Sequence, residues 1–255
     1  MNRNAPENSG FLRPTWSRIA LAPWLLSLLV LVLLAAARFY AVFGPPSVRI
    51  LFPLHCFAMW ALPFIFLTAS GRQQIGLCRP AHLLSSLAIS ALIGALCGFA
   101  VFVFGMILYA NSPDNWCVSI RDSFQLEQLR AVMPPAAVFA VLTLPAMILT
   151  PIGEEILLRG FLQQAFTLRW NVLIATVVNG LAFGLIHLHV HGLWRDSAGF
   201  HLRFVSGALM VLLLAVASAG FTFCRLRFNS LYAAKVAHAA CNLAMIAAIF
   251  FRYSG

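Results

Sequence analysis

Apolar stretches at 19–43, 48–70, 82–110, 135–168, 171–191, 204–224 and 230–251 fill most of this chain. Each is long enough to cross a hydrocarbon core, which takes ~20 residues as helix. A chain in lipid must satisfy its own backbone hydrogen bonds, so these runs have to be helical. Composition agrees: 62% of the 255 residues are hydrophobic and 9% charged, where a soluble domain carries ~25% charged residues. The expectation is an all-α fold, a polytopic membrane helix bundle of about seven transmembrane helices. Residues 1–18 read as a polar N-terminal tail and 19–255 as one membrane domain. The first run is too long for the hydrophobic region of a signal peptide and reads as an uncleaved span.

The net charge of +10 raises nucleic acid as a partner, and the distribution of arginines excludes it. Arg38, Arg49, Arg72, Arg79 and Arg169 lie singly at the ends of apolar runs, and no basic stripe with interleaved aromatics forms. Such residues are expected to anchor the helices at the membrane interface and to set topology. With the N-terminus inside, Arg3, Arg13, Arg18, Arg72, Arg79, Arg169, Arg225 and Arg227 face the cytoplasm. The loop carrying Asp114, Asp122 and Glu127 is then outside, on a modest positive-inside bias. The six cysteines show no CxxC or metal-ligand spacing; most lie in apolar runs and read as small packing residues, while Cys117 sits in a polar loop, where a lone thiol argues against a disulfide framework. Gly94 and Gly98 form a GxxxG, the signature of close helix packing.

Three polar groups interrupt the apolar runs. In TPIGEEILLRGF, Glu155 and Arg159 are four residues apart, in the favourable order for an ion pair. Glu154 is rotated about 100° from Glu155 and faces a different neighbour. The group is either a structural ion pair with a spare carboxylate or a carboxylate held for proton transfer in a low-dielectric site. In FGLIH, Phe183 and His187 share a helical face, so the ring can shield the imidazole. His189 and His191 follow at the helix end. Extending the helix puts His191 near the His187 face and His189 away from it. Both are expected at the membrane interface, with metal binding the lesser option. In HAACN, His238 and Asn242 share a face, and Asn242 brings both donor and acceptor. Cys241 follows His238 by three residues, and a Cys–His nucleophile is the weaker reading. At ~1.5 Å per residue, Glu154, His187, His238 and Asn242 all reach the middle of the bilayer.

These segments resemble the EExxxR, FxxxH and HxxxN motifs of the CPBP intramembrane proteases. That family includes the CAAX prenyl endopeptidases, also called Rce1-like or Abi proteins. The resemblance covers about 135–251, expected as the catalytic core. It implies a helical membrane bundle enclosing an intramembrane cavity, and a hydrolase acting on peptide bonds. Glu154, assisted by His187, would activate water; His238 and Asn242 would stabilise the oxyanion; Glu155, Arg159 and Phe183 would support them. The family is often labelled metalloprotease. If metal is present, Glu154, His187 and His238 would hold zinc. No HExxH occurs and an amide is an uncommon zinc ligand, so no cofactor is favoured. The expected partners are membrane lipids and a peptide or protein substrate with a membrane-associated segment, in the cell (inner) membrane. A catalytically idle scaffold or regulator with a protease fold is the main alternative. A proton-coupled transporter using the same buried charges ranks below it.

Overall fold

The computed structural model describes residues 10–19 and 21–253. Residues 1–9 of the expected tail, Arg3 among them, and residues 254–255 of the expected membrane domain lie outside the described residues. A short helix α1 (Pro14–Ser17) leads into α2 (Pro23–Phe43), a 3₁₀ turn at Pro46–Val48 and α3 (Leu51–Phe66). Then come α4 (Ala69–Gln74), α5 (Leu83–Tyr109), α6 (Trp116–Ser123) and α7 (Leu126–Val132). The next rod is α8 (Pro135–Glu155), which continues as a π-helical segment, Ile156–Leu162, and ends in α9 (Gln163–Thr167). It is followed by α10 (Val172–Ile186), a hairpin of β1 (Leu193–Asp196) and β2 (Gly199–Leu202), α11 (Phe204–Arg227) and α12 (Leu231–Arg252).

Local chemistry sets the boundaries. Pro14, Pro23 and Pro135 occupy the first turns of α1, α2 and α8, where the missing N–H costs nothing. Asn171 Oδ1 accepts from the Ile174 N–H at 2.9 Å, and Ser230 Oγ accepts from the Tyr232 N–H at 3.2 Å. These caps start α10 and α12.

The protein is an integral, multi-pass membrane protein. Among the described residues, six helices are long and apolar enough to cross a membrane: Pro23–Phe43, Pro46–Phe66, Leu83–Tyr109, Pro135–Thr167, Phe204–Arg227 and Leu231–Arg252. The seventh, α10, is 15 residues long, or ~22 Å, against a hydrocarbon core of ~30 Å. Its polar sequel, HLHVHG, leaves the helix by turns, with Gly192 at φ +108. Large side chains such as Leu33, Leu84, Ile107 and Val216 project outward, as a surface facing lipid requires. The N-terminal segment is docked: Phe11 and Leu12 are buried, and Leu12 bridges to Leu67.

At the centre, α12 packs against α5, α8 and α11, and α3 packs on α2 and α8. The backbones of α5 and α12 approach closely. A Cβ built on Gly94 would run into the Ala237 carbonyl, and one on Gly98 into the Cys241 carbonyl. The expected GxxxG packing is therefore realised against α12, and it fixes the helix that carries His238.

Gly94→Ala and Gly98→Ala should each destabilise the protein by about 1–3 kcal/mol, the usual cost of overpacking. Gly220→Ala is the control, because its added carbon would meet Cys97 Sγ and Ile93 Cγ2 at an ordinary 3.5 Å. Thermal unfolding in detergent checks this, and equal melting of all three variants would rule out the proposed backbone contact as limiting.

Candidate active site

The two glutamates close α8, four and five residues after Thr150. Their side chains are 1% and 0% exposed, and each finds its charge partner in a different direction. Glu155 Oε1 lies 2.9 Å from Arg159 Nη1 and 2.8 Å from His238 Nδ1. The expected i,i+4 pair thus forms and extends to α12. It is an ionic contact without hydrogen-bond alignment, since the Arg159 nitrogens have no aligned acceptor. Aromatic faces take the guanidinium instead: its Cζ is 4.4 Å from the Phe183 ring centroid and 5.1 Å from that of Phe221. Phe183 also contacts the rings of His187 and His238, at 4.6 and 5.3 Å.

Glu154 Oε1 pairs with Nη2 of Arg38, which is 2% exposed. This corrects the expectation that Arg38 anchors a helix end at the interface. The residue lies inside α2 and turns inward because a buried carboxylate needs a cation. A charge inside an apolar run calls for a partner, and that rule flags Arg38 as readily as Glu154. His55 on α3 is likewise buried near Glu154 and Arg38. Asn179 on α10, also buried, donates to the Leu158 carbonyl in the π segment at 3.0 Å. Spacing gave neither residue a distinguishing pattern.

Oε2 of Glu154 has no hydrogen-bond partner, and it lies 3.9 Å from Nε2 of both His187 and His238. The spacing exceeds a direct hydrogen bond and suits one bridging water. The tautomers follow from the network. His187 Nδ1 is 2.7 Å from the Phe183 carbonyl, which only accepts, so Nδ1 carries the hydrogen and Nε2 the lone pair. His238 Nδ1 likewise donates to Glu155. Asn242 lies on the same face of α12 and donates Nδ2 to the Ala146 carbonyl at 2.8 Å, which leaves one N–H for another acceptor.

These groups line a cavity of about 440 Å³. Arg38, Glu154, His187, His189, His238 and Asn242 supply its polar wall, and Val101, Trp116, Met210, Leu214 and Ile246 are among its apolar neighbours. His189 faces this cavity, with its ring centroid 6.1 Å from that of His187. His191 is 1% exposed and bridges Ser119 Oγ at 2.7 Å to Ser206 Oγ at 2.9 Å. The expected helical projection, with His191 near His187 and His189 away, fails because the helix ends at Ile186. Cys241 lines the cavity as a free, buried thiol.

A zinc ion does not fit the donor set. Arg38 already balances Glu154 and adds a fixed positive charge beside the position a dication would take. Among the described residues, no group of three His, Cys, Asp or Glu side chains is arranged to hold a metal ion.

Residues 136–244 match the family model of Type II CAAX prenyl endopeptidase Rce1-like proteins. No curated protein and no solved structure matches the chain.

Glu155→Gln should lower stability by about 3–5 kcal/mol, because Arg159 would keep its charge in a buried site without a counter-ion. Glu155→Gln combined with Arg159→Leu should recover part of that loss. Melting temperatures in detergent decide, and a single variant that melts with the parent would show that the pair is not needed.

Proposed function

We propose that this protein is an intramembrane endopeptidase, a reading supported by the match of residues 136–244 to the Type II CAAX prenyl endopeptidase Rce1-like family model. It hydrolyses a peptide bond of a membrane-associated substrate with a water activated by Glu154 and His187. The observation that carries the reading is the convergence of Glu154 Oε2 with the Nε2 atoms of His187 and His238, at 3.9 Å each, in a largely apolar cavity.

In this mechanism one water sits between the three atoms. His187 Nε2 offers the lone pair, and Glu154 Oε2 offers the charge that stabilises the resulting imidazolium. The proton leaves the water as its oxygen bonds to the scissile carbonyl carbon, a general-base step. The carbonyl π electrons move onto oxygen. The free N–H of Asn242 donates to that oxyanion, while Glu155 holds Nδ1–H of His238 and keeps its Nε2 aimed at the water. Collapse of the tetrahedral intermediate expels the amine, which takes the proton from His187. Cys241 has no part in this chemistry. The apolar wall of the cavity suits a hydrophobic or lipid-bearing tail, and 135–251 carries the reacting side chains Glu154, His187, His238 and Asn242.

Two experiments test this. The first compares peptide termini in membranes from cells holding equal amounts of parent or Glu154→Gln protein. Termini found only with the parent are expected, because the amide carries no charge to stabilise the imidazolium. Glu154→Gln also leaves Arg38 unpaired and should melt lower, so membrane levels are matched before comparison. Identical termini in both samples would remove Glu154 from the reaction. The second is turnover in metal-free buffer after exhaustive chelation, with His189 changed to alanine to remove an adventitious site. Activity should survive; loss reversed by stoichiometric zinc would overturn the metal-independent mechanism.

A further inference from the structure

Arg38 is carried by α2, outside residues 136–244, and the hydrolysis proposed above gives it no bond to make or break. An arginine that anchors a helix reaches outward to the interface with its stem along apolar surface. This one turns inward. Its guanidinium is buried, pairs through Nη2 with Glu154 Oε1 and lies with Cζ 5.6 Å from the Phe52 ring centroid.

A carboxylate has two oxygens, and the proposed water needs one of them held still. With Oε1 engaged by Arg38, Oε2 is the oxygen at 3.9 Å from both imidazole Nε2 atoms. The neighbouring groups cannot take over this task. Glu154 is surrounded by His55 and Cys56 from α3, by His187 and His189 at the end of α10, and by His238 from α12. On its own rod stand Glu155 and Arg159, which are committed to each other. Arg38 is the permanent cation in contact with Glu154, and its planar guanidinium gives direction as well as charge.

We infer that Arg38 is the positioning residue of this site, one that turns a chosen oxygen of Glu154 toward the water and balances the carboxylate's charge. The inference rests on the proposed hydrolysis and adds to it a requirement for α2, so that residues 136–244 alone do not complete the site.

The test uses the full-length protein in detergent and a synthetic peptide spanning the cleavage site found by the terminus comparison. Arg38→Gln should lower kcat about 100-fold, the scale of a misplaced reacting group, with KM changed by less than about threefold because binding contacts remain. Arg38→Lys should regain about tenfold of that loss, since it restores charge without the planar fork. Three results overturn the inference: parental kcat in folded Arg38→Gln, a loss confined to KM, or Arg38→Lys no more active than Arg38→Gln. Should Arg38→Gln not fold, Arg38→Lys decides alone. A kcat about tenfold below the parent at unchanged KM supports the role, and parental kcat refutes it. A parent protein that cleaves no peptide, or a Glu154→Gln protein with parental turnover, sinks the proposed hydrolysis itself and this inference with it.

Discussion

Two adjacent carboxylates in a hydrocarbon core need two cations, and one helix face cannot bring both within reach. Their side chains diverge by about 100°, so the partners come from different places. Arg159 serves Glu155 from the same rod, and Arg38 serves Glu154 from α2. His238 joins Glu155 from α12. An unpaired charge at the bilayer centre costs at least ~2.5 kcal/mol, so these contacts bind α2, α8 and α12 into one arrangement. The rest of the cavity is built around that knot. His187 and His238 face Glu154 Oε2, the oxygen of that carboxylate that Arg38 leaves free.

Packing keeps those charges in register. Gly94 and Gly98 let the α5 backbone touch α12 at Ala237 and Cys241, on either side of His238. The π-helical segment begins directly after Glu155, and π turns recur where a helix serves a functional site. Asn179 secures that segment from α10 through the Leu158 carbonyl and the Gln163 side chain, both at 3.0 Å. Phe183 and Phe221 cover the Arg159 guanidinium, so the pair below the site stays dry. His191 fastens α6 to the start of α11 through two serine hydroxyls, closing the fold where α10 has already ended.

The outcome is a site in which acceptors dominate. Glu154 Oε2 and the lone pairs of His187 and His238 Nε2 point toward a common position, and Asn242 supplies a donor. Low polarity around them strengthens every such contact. The same low polarity is why Glu154 draws Arg38 inward from α2, far away in sequence.

Much of this molecule could be read from the chain alone. The apolar runs dictated helices, because lipid offers the backbone no other partner, and most boundaries fell within a few residues of the expected ones. Glu155–Arg159 and the shared faces of Phe183 with His187 and His238 with Asn242 follow from helical spacing, a local rule. The GxxxG motif announced a close contact, but only packing chose α12 as its partner. Other features depended on residues distant in sequence. Arg38 looked like one more terminal arginine until α2 met α8. Both His189 and His191 were expected at the membrane interface, but His189 faces the cavity and His191 is buried between two serines, because α10 stopped at Ile186 and the chain turned. Periodicity fixes which side chains share a face of one helix. Which faces meet is decided by the burial of charge and the close fit of backbones, and those belong to the folded protein.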